Sequence, residues 1–270
     1  MQADEYQVVE HAPTVPLRAS CYRDDRRIGT CGPPSTGFSA EEYLSAQANY
    51  HWQAVSQRSE NRMTTAIIGA GSIGSALAAN LARGGEDVVL ASRSPGHAQA
   101  VAGQAGARAA SVGDAIAAAD VVVLAVWFDV AEELLARYAG ALRVKIIVDP
   151  SNPVVPDGDG GFTKILPAEE SAGQVLAALT PPGARFVKAF GTQTARTLAG
   201  SSGRRPPAAQ FYATDDQAAG DAVADLIRTA GYAPVLVGGI GQSIRIEAFG
   251  DLHETTLGRA VTEDEAKKLI

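Results

Sequence analysis

The sequence has little of several features that define particular classes of protein. It contains two cysteines, Cys21 and Cys31, which are too few for a disulfide scaffold or for a four-cysteine zinc site. No apolar run approaches the roughly 18 residues that a membrane-spanning helix needs, so we expect no membrane partner. No charged-then-apolar leader with a small-residue cleavage site begins the chain, and we therefore expect a cytoplasmic location.

Positive charge is also in short supply. The chain has 23 Lys and Arg against 30 Asp and Glu, which gives a formal net charge of −7. Nucleic-acid affinity comes largely from Lys and Arg on phosphates, so this balance argues against a nucleic-acid partner. The remaining composition is that of an ordinary globular protein, and the informative features are therefore local motifs.

From Met63 onward, short Val/Ile/Leu/Ala runs alternate with Ala-rich amphipathic stretches. Continuous apolar strands separated by helices indicate a parallel sheet covered on both faces, and the right-handed crossover rule makes it doubly wound. The predicted strands are Thr64–Ile68, Asp87–Ser92, Ala107–Ala109, Asp120–Val126, Lys145–Asp149, Arg185–Phe190, Gln210–Ala213 and Ala233–Val237. The predicted helices are Ser72–Arg83, Ala131–Ala141, Ser171–Leu179 and Asp215–Thr229.

A glycine-rich turn joins the first predicted strand to the first predicted helix. Ile67–Leu77 reads IIGAGSIGSAL and contains G-x-G-x-x-G, with a second strand following about 20 residues later. Gly69 would permit the tight turn, Gly71 the approach of the backbone to a diphosphate, and Gly74 close packing of helix on strand. Amides at the helix N-terminus would bind the diphosphate. We therefore predict a dinucleotide site over Gly69, Ala70, Gly71, Ser72, Ile73 and Gly74.

The end of the second predicted strand indicates which dinucleotide binds. An NAD site usually has Asp or Glu there to bind the ribose 2′-hydroxyl. Here Ser92, Arg93 and Ser94 follow, and no carboxylate occurs between Val88 and Asp114. A guanidinium with flanking hydroxyls suits a 2′-phosphate, which a carboxylate would repel. Ser92 and Arg93 therefore predict NADP(H) rather than NAD(H), with a solvated surface role for Arg93 as the alternative.

The first 62 residues form a different segment. Cys31–Gly37 (CGPPSTG) predicts a loop, and the SAEE sequence at Ser39–Glu42 fits a capping box that would begin a helix running to about Gln57. One helix and a loop cannot bury a core alone. We therefore predict an N-terminal extension over 1–62. It either docks on the main domain or on a partner subunit, or is a disordered tail, or is an artefact, in which case Met63 is the natural start. An NADP-binding domain should then cover 63–270, with a short helical cap from about residue 238.

Later loops supply candidates for the rest of the site. Trp127 could line the nicotinamide pocket or could be a buried core residue at the start of a helix. Asn152, in a Pro/Gly-rich stretch that predicts a long loop over Asp149–Gly161, could bond the nicotinamide side. Lys188 lies in an apolar strand and could neutralise an anionic ligand or reach solvent from an edge strand. His253, next to carboxylates, is a candidate proton donor, with a structural role as the alternative.

Five segments together resemble one family: Ile67–Leu77, Ser92–Arg93, Ala125–Asp129, Asp149–Pro153 and Lys188–Thr192. From Met63 to about Val237, the sequence is similar to the NADP oxidoreductases that reduce or reoxidise the deazaflavin coenzyme F-420. The resemblance implies NADPH on the glycine-rich turn, with the deazaflavin stacked on the nicotinamide for direct hydride transfer. It implies cofactor contacts at Gly69, Gly71, Gly74, Ser92 and Arg93, and residues near the ring at Ala125, Trp127, Asn152 and Thr192.

We therefore expect an NADPH-dependent oxidoreductase with a deazaflavin acceptor. The alternatives are a reductase of a small imine or carbonyl, with His253 or Lys188 as the acid, and a non-catalytic NADP(H)-sensing protein. Imine reductases resemble one another in adding a substantial helical dimerisation domain, whereas only a short stretch follows Val237. A homodimer is expected because the segment Ile240–Ile270 needs a surface on which to pack.

Overall fold

The computed structural model describes residues 63–270. Its strands are β1 (Thr64–Ile68), β2 (Asp87–Ala91), β3 (Arg108–Ala109), β4 (Val121–Leu124), β5 (Ile146–Asp149), β6 (Val154–Pro156), β7 (Phe162–Lys164), β8 (Arg185–Ala189), β9 (Ala209–Ala213) and β10 (Ala233–Leu236). Its helices are α1 (Ser72–Arg83), α2 (Pro95–Ala105), α3 (Val112–Ala118), α4 (Phe128–Arg137), α5 (Ala139–Leu142), α6 (Ala172–Leu179), α7 (Ala195–Gly200), α8 (Gln217–Thr229), α9 (Ser243–Ile246), α10 (Glu254–Leu257) and α11 (Glu263–Ala266).

Eight strands form one sheet in the order β10-β9-β8-β5-β4-β1-β2-β3. The six strands from β8 to β3 are parallel and are flanked by helices, which confirms the predicted α/β Rossmann-type fold. At one edge, β9 runs antiparallel to β8, and β10 is parallel to β9. The prediction of a wholly parallel sheet is therefore wrong at this edge. Because all five residues of β9 are buried, its apolar run does not reveal the strand's direction.

Two other predicted elements differ from the structure. The long loop predicted over Asp149–Gly161 contains β6, which pairs antiparallel with β7 in a separate hairpin. Pro156 is tolerated there because an edge strand does not need every backbone N–H as a donor. The helix predicted over Ala131–Ala141 begins earlier, at Phe128, and breaks at Tyr138 into α4 and α5.

Apolar side chains pack on both faces of the sheet. Ile67 and Leu77 belong to the core on one face, and Ile68 and Phe128 to the core on the other. A third cluster joins the C-terminal segment to β9 and β10; it includes Phe211, Val235, Ile246, Leu252, Val261 and Ala266. The C-terminal segment thus packs on its own chain, which removes the reason for expecting a dimer. The oligomeric state stays a prediction.

Several predictions concern residues that the structure does not describe. The loop at Cys31–Gly37 and the helix from Ser39 to Gln57 lie outside the described residues, and the division of the chain at residue 62 stays a prediction. Within residues 63–270, every helix is too short or too polar to cross a bilayer.

Candidate functional site

A cleft of about 1350 Å³ runs along the carboxyl ends of β1, β2, β4, β5 and β8. Open α/β sheets bind their ligands at this edge. The volume exceeds the roughly 300–1,000 Å³ of an ordinary small-molecule site. The cleft is therefore large enough for an extended ligand together with a second one.

The glycine-rich turn lies in the cleft beside β4. Gly69 has φ +117°, and a Cβ added there would lie 2.1 Å from the carbonyl oxygen of Ala125. A Cβ on Gly74 would lie 1.8 Å from the carbonyl oxygen of Gly69. A Cβ on Gly71 would have no atom within 4 Å, although this residue lines the cleft. Gly69 and Gly74 therefore serve the close packing of the turn, and Gly71 leaves the cleft open where a ligand would approach the backbone.

Backbone amides without an intrahelical partner lie at the N-terminus of α1, next to the open space at Gly71. The first intrahelical bond runs from the Ser75 amide to the carbonyl of Gly71, so the amides of Ser72, Ile73 and Gly74 precede the helical ladder. Gly71 provides no side-chain cap, and the first turn contains no acidic residue. Free amides and the positive end of a 12-residue helix suit a diphosphate.

Cationic and hydroxyl groups lie at the end of β2. The hydroxyl of Ser92 donates to the carbonyl of Ser94 at 2.8 Å and accepts from the amide of Ser94 at 3.2 Å, so it shapes this turn. Arg93 is exposed, lines the cleft and forms no ion pair within residues 63–270. His97 also lines the cleft, and no sequence motif marks it; its Nε2 bonds the carbonyl of Ala70 at 3.0 Å.

Three exposed aromatic side chains from separate segments also line the cleft; we call Trp127, Phe162 and Phe249 the aromatic rim. Trp127 precedes α4, is 52% exposed and lies 6.5 Å from the ring of Phe162 in the hairpin. A core role for Trp127 is therefore wrong, whereas its neighbour Phe128 is buried. Phe249 is 58% exposed and has φ +71°, a conformation that costs a non-glycine residue about 1–2 kcal/mol.

Asn152 connects three segments at the rim. Its Nδ2 donates to the carbonyl of Gly191 at 3.0 Å, and its Oδ1 accepts from the amide of Ala248 at 2.7 Å. Both ends of the amide are thus occupied by backbone groups. Thr192 is buried, donates to Gln210 Oε1 at 3.3 Å and does not line the cleft.

Lys188 lies in the interior, beneath the cleft. Its side chain is 1% exposed, and Nζ is 2.6 Å from Asp149 Oδ2 and 3.4 Å from Glu247 Oε1. Nζ also donates to the carbonyl of Ser151. Burial lowers the pKa of Lys188, but the charges of Asp149 and Glu247 outweigh burial and raise it above its ordinary value. The alternative of a lysine reaching solvent is therefore wrong, and two internal carboxylates already neutralise this charge.

His253 lines the cleft from the C-terminal segment and is 6% exposed. Its Nδ1 accepts from the amide of Thr255 at 3.3 Å, which leaves the proton of a neutral ring on Nε2, and the carbonyl of Gly191 is the ring's backbone partner. Burial lowers the pKa of His253, although Glu254 and Gly191 act in the opposite direction.

Most of the residues selected from the sequence converge on this cleft; those that line it are Gly69, Ala70, Gly71, Ser72, Ile73, Ser92, Arg93, Ala125, Trp127, Asn152 and His253. Gly74, Lys188 and Thr192 lie behind its surface. Phe162 and Phe249 were missed because each is a single aromatic residue in a loop-rich stretch, with no motif to mark it.

Residues 64–153 match the family model described as NADP oxidoreductase, coenzyme F-420-dependent. The matched segment spans β1 to the loop after β5 and so includes the glycine-rich turn, Arg93 and Trp127. This segment is similar to the family that the sequence resemblance predicts. None of the curated proteins matches the chain in sequence.

Solved structures share the fold. A hypothetical protein from Sinorhizobium meliloti is 28% identical, with a TM-score of 0.66, and the match covers 80% of this chain and all of that one. A candidate F-420-dependent NADP reductase from Arthrobacter is 25% identical, with a TM-score of 0.59 over 67% of this chain and 87% of that one. An imine reductase from Bacillus cereus is 22% identical, with a TM-score of 0.51 over 68% and 57%, a likeness that shows the fold alone.

Proposed function

We propose that the protein binds NADP(H) in the cleft and exchanges hydride with a deazaflavin of the coenzyme F-420 type, in keeping with the family model that residues 64–153 match. The observation that carries the proposal is that one cleft is lined both by the glycine-rich turn and by the aromatic rim. The first feature suits a dinucleotide, and the second suits a flat conjugated ring.

The residues at the glycine-rich turn fit the cofactor. The amides of Ser72 and Ile73 would bind the diphosphate over the open space at Gly71. Arg93, which has no carboxylate partner in the described residues, would bind the 2′-phosphate of the adenosine half. The nicotinamide half would then extend towards Ala125 and the loop after β5, where the rim begins.

The chain's own groups would orient the two rings and exclude water. When bound, NADPH supplies a hydride from C4 of its dihydronicotinamide to a ring carbon of the deazaflavin, which takes up a proton from water at a ring nitrogen. Such an exchange between two stacked rings depends mainly on proximity and orientation. Lys188 lies behind the cleft wall, and hydride exchange between two stacked rings needs no acid from the protein, so we assign that role to neither Lys188 nor His253.

Mixing the protein with NADPH and oxidised coenzyme F-420 tests the proposal. We expect the visible absorbance of the deazaflavin to fall at a rate proportional to protein concentration, and to fall much more slowly with NADH. NADPH binding without any loss of absorbance would contradict the proposal and would favour a sensing role.

A small imine is the competing substrate class, and the position of His253 in the cleft is the observation in its favour. Replacing the deazaflavin with 1-pyrroline under the same conditions separates the two. We expect no oxidation of NADPH by 1-pyrroline. Turnover of 1-pyrroline that the substitution His253→Asn abolishes would instead identify an imine reductase.

A further inference from the structure

Phe249 combines exposure, an apolar ring and a left-handed backbone at the mouth of the cleft. Strained residues persist where the surrounding structure fixes them, and they cluster at ligand contacts. We propose that Phe249 is the specificity-determining contact for a flat, fused-ring acceptor, and that Asn152 and Glu247 are positioning residues that fix Phe249. This inference rests on the proposed hydride transfer and identifies the residues that choose its acceptor.

Glu247 fixes the chain two residues before Phe249. Its Oε1 accepts from the amide of Gly173 at 2.8 Å, and its Oε2 accepts from the amide of Ala172 at 3.0 Å. Oε1 also lies 3.4 Å from Nζ of Lys188. The carboxylate is therefore tied to the first turn of α6 and to β8, and the backbone that leaves Glu247 has a fixed starting point.

Asn152 fixes the residue directly before Phe249. Its side chain accepts from the amide of Ala248 and donates to the carbonyl of Gly191, which connects the loops after β5 and β8 to the C-terminal segment. The amide of Gly250 closes a tight turn by donating to the carbonyl of Glu247 at 2.8 Å. The amides of both neighbours are thus bonded, which restrains the backbone at Phe249.

The rim fits a fused ring better than a small polar substrate. Trp127 follows β4, Phe162 lies in the hairpin and Phe249 in the C-terminal segment, so three separate segments contribute aromatic surface to the cleft. Phe162 and Phe249 also line an adjoining cavity of about 540 Å³, which leaves room for substituents of the ring. Aromatic pairs gain from stacked or edge-on contact, whereas a small imine would leave most of this surface exposed.

The substitution Phe249→Ala tests the contact. We expect the KM for coenzyme F-420 to rise roughly 2- to 13-fold, the range that the loss of one aromatic pair implies. The dissociation constant for NADPH should not change, and Phe249→Tyr should restore the KM. The matched control is Val144→Ala, because Val144 is another exposed apolar residue with positive φ, and it lies before β5, outside the cleft. An unchanged KM in Phe249→Ala would overturn the inference.

A double-mutant cycle tests the positioning residues. Asn152→Ala and Glu247→Gln should each raise the KM for coenzyme F-420, and Glu247→Gln should leave the affinity for NADPH unchanged because Glu247 does not line the cleft. In combination with Phe249→Ala, neither should raise the KM further, because the group they position has gone. Fold-increases in KM that multiply in the double variants would mean that the two residues act independently of Phe249, and would overturn the positioning role.

A binding measurement separates this inference from the proposed reaction. The probe is the oxidised 8-hydroxy-5-deazaflavin ring without its side chain, titrated by its fluorescence in the presence of NADP⁺. Weaker binding to Phe249→Ala than to Val144→Ala would support the inference even if the parent protein transferred no hydride. Equal binding to both variants, or no binding to the parent protein, would overturn it.

Discussion

Individual side chains decide which cofactor and which acceptor the cleft accepts. Arg93 is an exposed cation without an ion-pair partner in residues 63–270, at the place where an NAD site has a carboxylate. Phe249 is an exposed apolar ring on a strained backbone. Both residues line the cleft, where a bound ligand would contact them.

Arg93→Ala should weaken NADPH binding about 10- to 160-fold, because a hydrogen bond to a charged group contributes about 1.5–3 kcal/mol. NADH lacks the 2′-phosphate, so its affinity should not change. Titration of each nucleotide against parent protein and variant measures both effects. Arg143→Ala is a matched control, because Arg143 is also exposed but lies before β5, outside the cleft. Equal affinity of the parent protein for NADPH and NADH would contradict the assignment.

His253 should make stability depend on pH. Burial lowers its pKa, so the folded protein keeps the ring neutral where the unfolded chain, with a pKa of about 6.5, takes up a proton. The contribution to stability is therefore present above pH 6.5 and is lost as the pH falls below it. His253→Asn keeps a residue that can cap α10 but does not titrate.

Urea unfolding of the parent protein and His253→Asn at pH 7.5 and pH 5.0 measures this effect. We expect the unfolding free energy of the parent protein, relative to that of the variant, to be lower at pH 5.0 than at pH 7.5. A difference in unfolding free energy that stays constant with pH would show that His253 does not titrate differently in the folded and unfolded states.

At the scale of elements, the glycines in the turn from β1 to α1 have different roles, since one is needed for folding and another for binding. Gly74→Ala places a methyl group 1.8 Å from a backbone oxygen and should destabilise the protein severely. Gly71→Ala places it in open space, so the fold should remain while the diphosphate is displaced. Thermal unfolding and NADPH titration measure the two outcomes. Gly103→Ala, in α2 and with no atom near its added Cβ, is the control that should leave NADPH binding unchanged.

If Gly71→Ala bound NADPH as tightly as the parent protein, the diphosphate would not lie over this turn. A fold as stable in Gly74→Ala as in the parent protein would contradict the close packing of α1 on the turn. Gly71→Ala thus tests diphosphate binding at this motif, and Gly74→Ala tests the packing of its helix.

The elements that could be predicted are those with a strong local pattern. The bounds of β1 and α1 follow directly from an apolar run, three glycines and an Ala-rich stretch. The hairpin of β6 and β7 could not be predicted, because its strands have three residues each and are separated by turn-forming residues. The direction of β9 could not be predicted either, since a buried strand is apolar in both directions.

At the scale of the whole molecule, one buried charge network connects the sheet to the C-terminal segment. Lys188 in β8 bonds Asp149 at the end of β5 and faces Glu247, which caps the first turn of α6. The sequence marked Lys188 as unusual, but it could not show that carboxylates 39 and 59 positions away would surround it. Long-range pairs of this kind depend on the topology, which local patterns do not contain.

Lys188→Met should destabilise the protein by about 3–5 kcal/mol, because it leaves two buried carboxylates without their counter-charge. Lys267→Met removes an exposed ion pair with Glu263 and should have a much smaller effect. Urea unfolding of both variants gives the comparison. Similar losses of stability in the two would contradict the role of the network.

The most direct test of hydride transfer in this cleft follows a deuterium label from C4 of NADPH. NADPH carrying deuterium at one face of C4 is mixed with the protein and oxidised coenzyme F-420 in ordinary water, and the reduced deazaflavin is analysed by mass spectrometry. We predict that deuterium from one of the two faces appears at a ring carbon of the deazaflavin. Deuterium lost to water, or no reduction although NADPH binds, would contradict direct hydride transfer in this cleft.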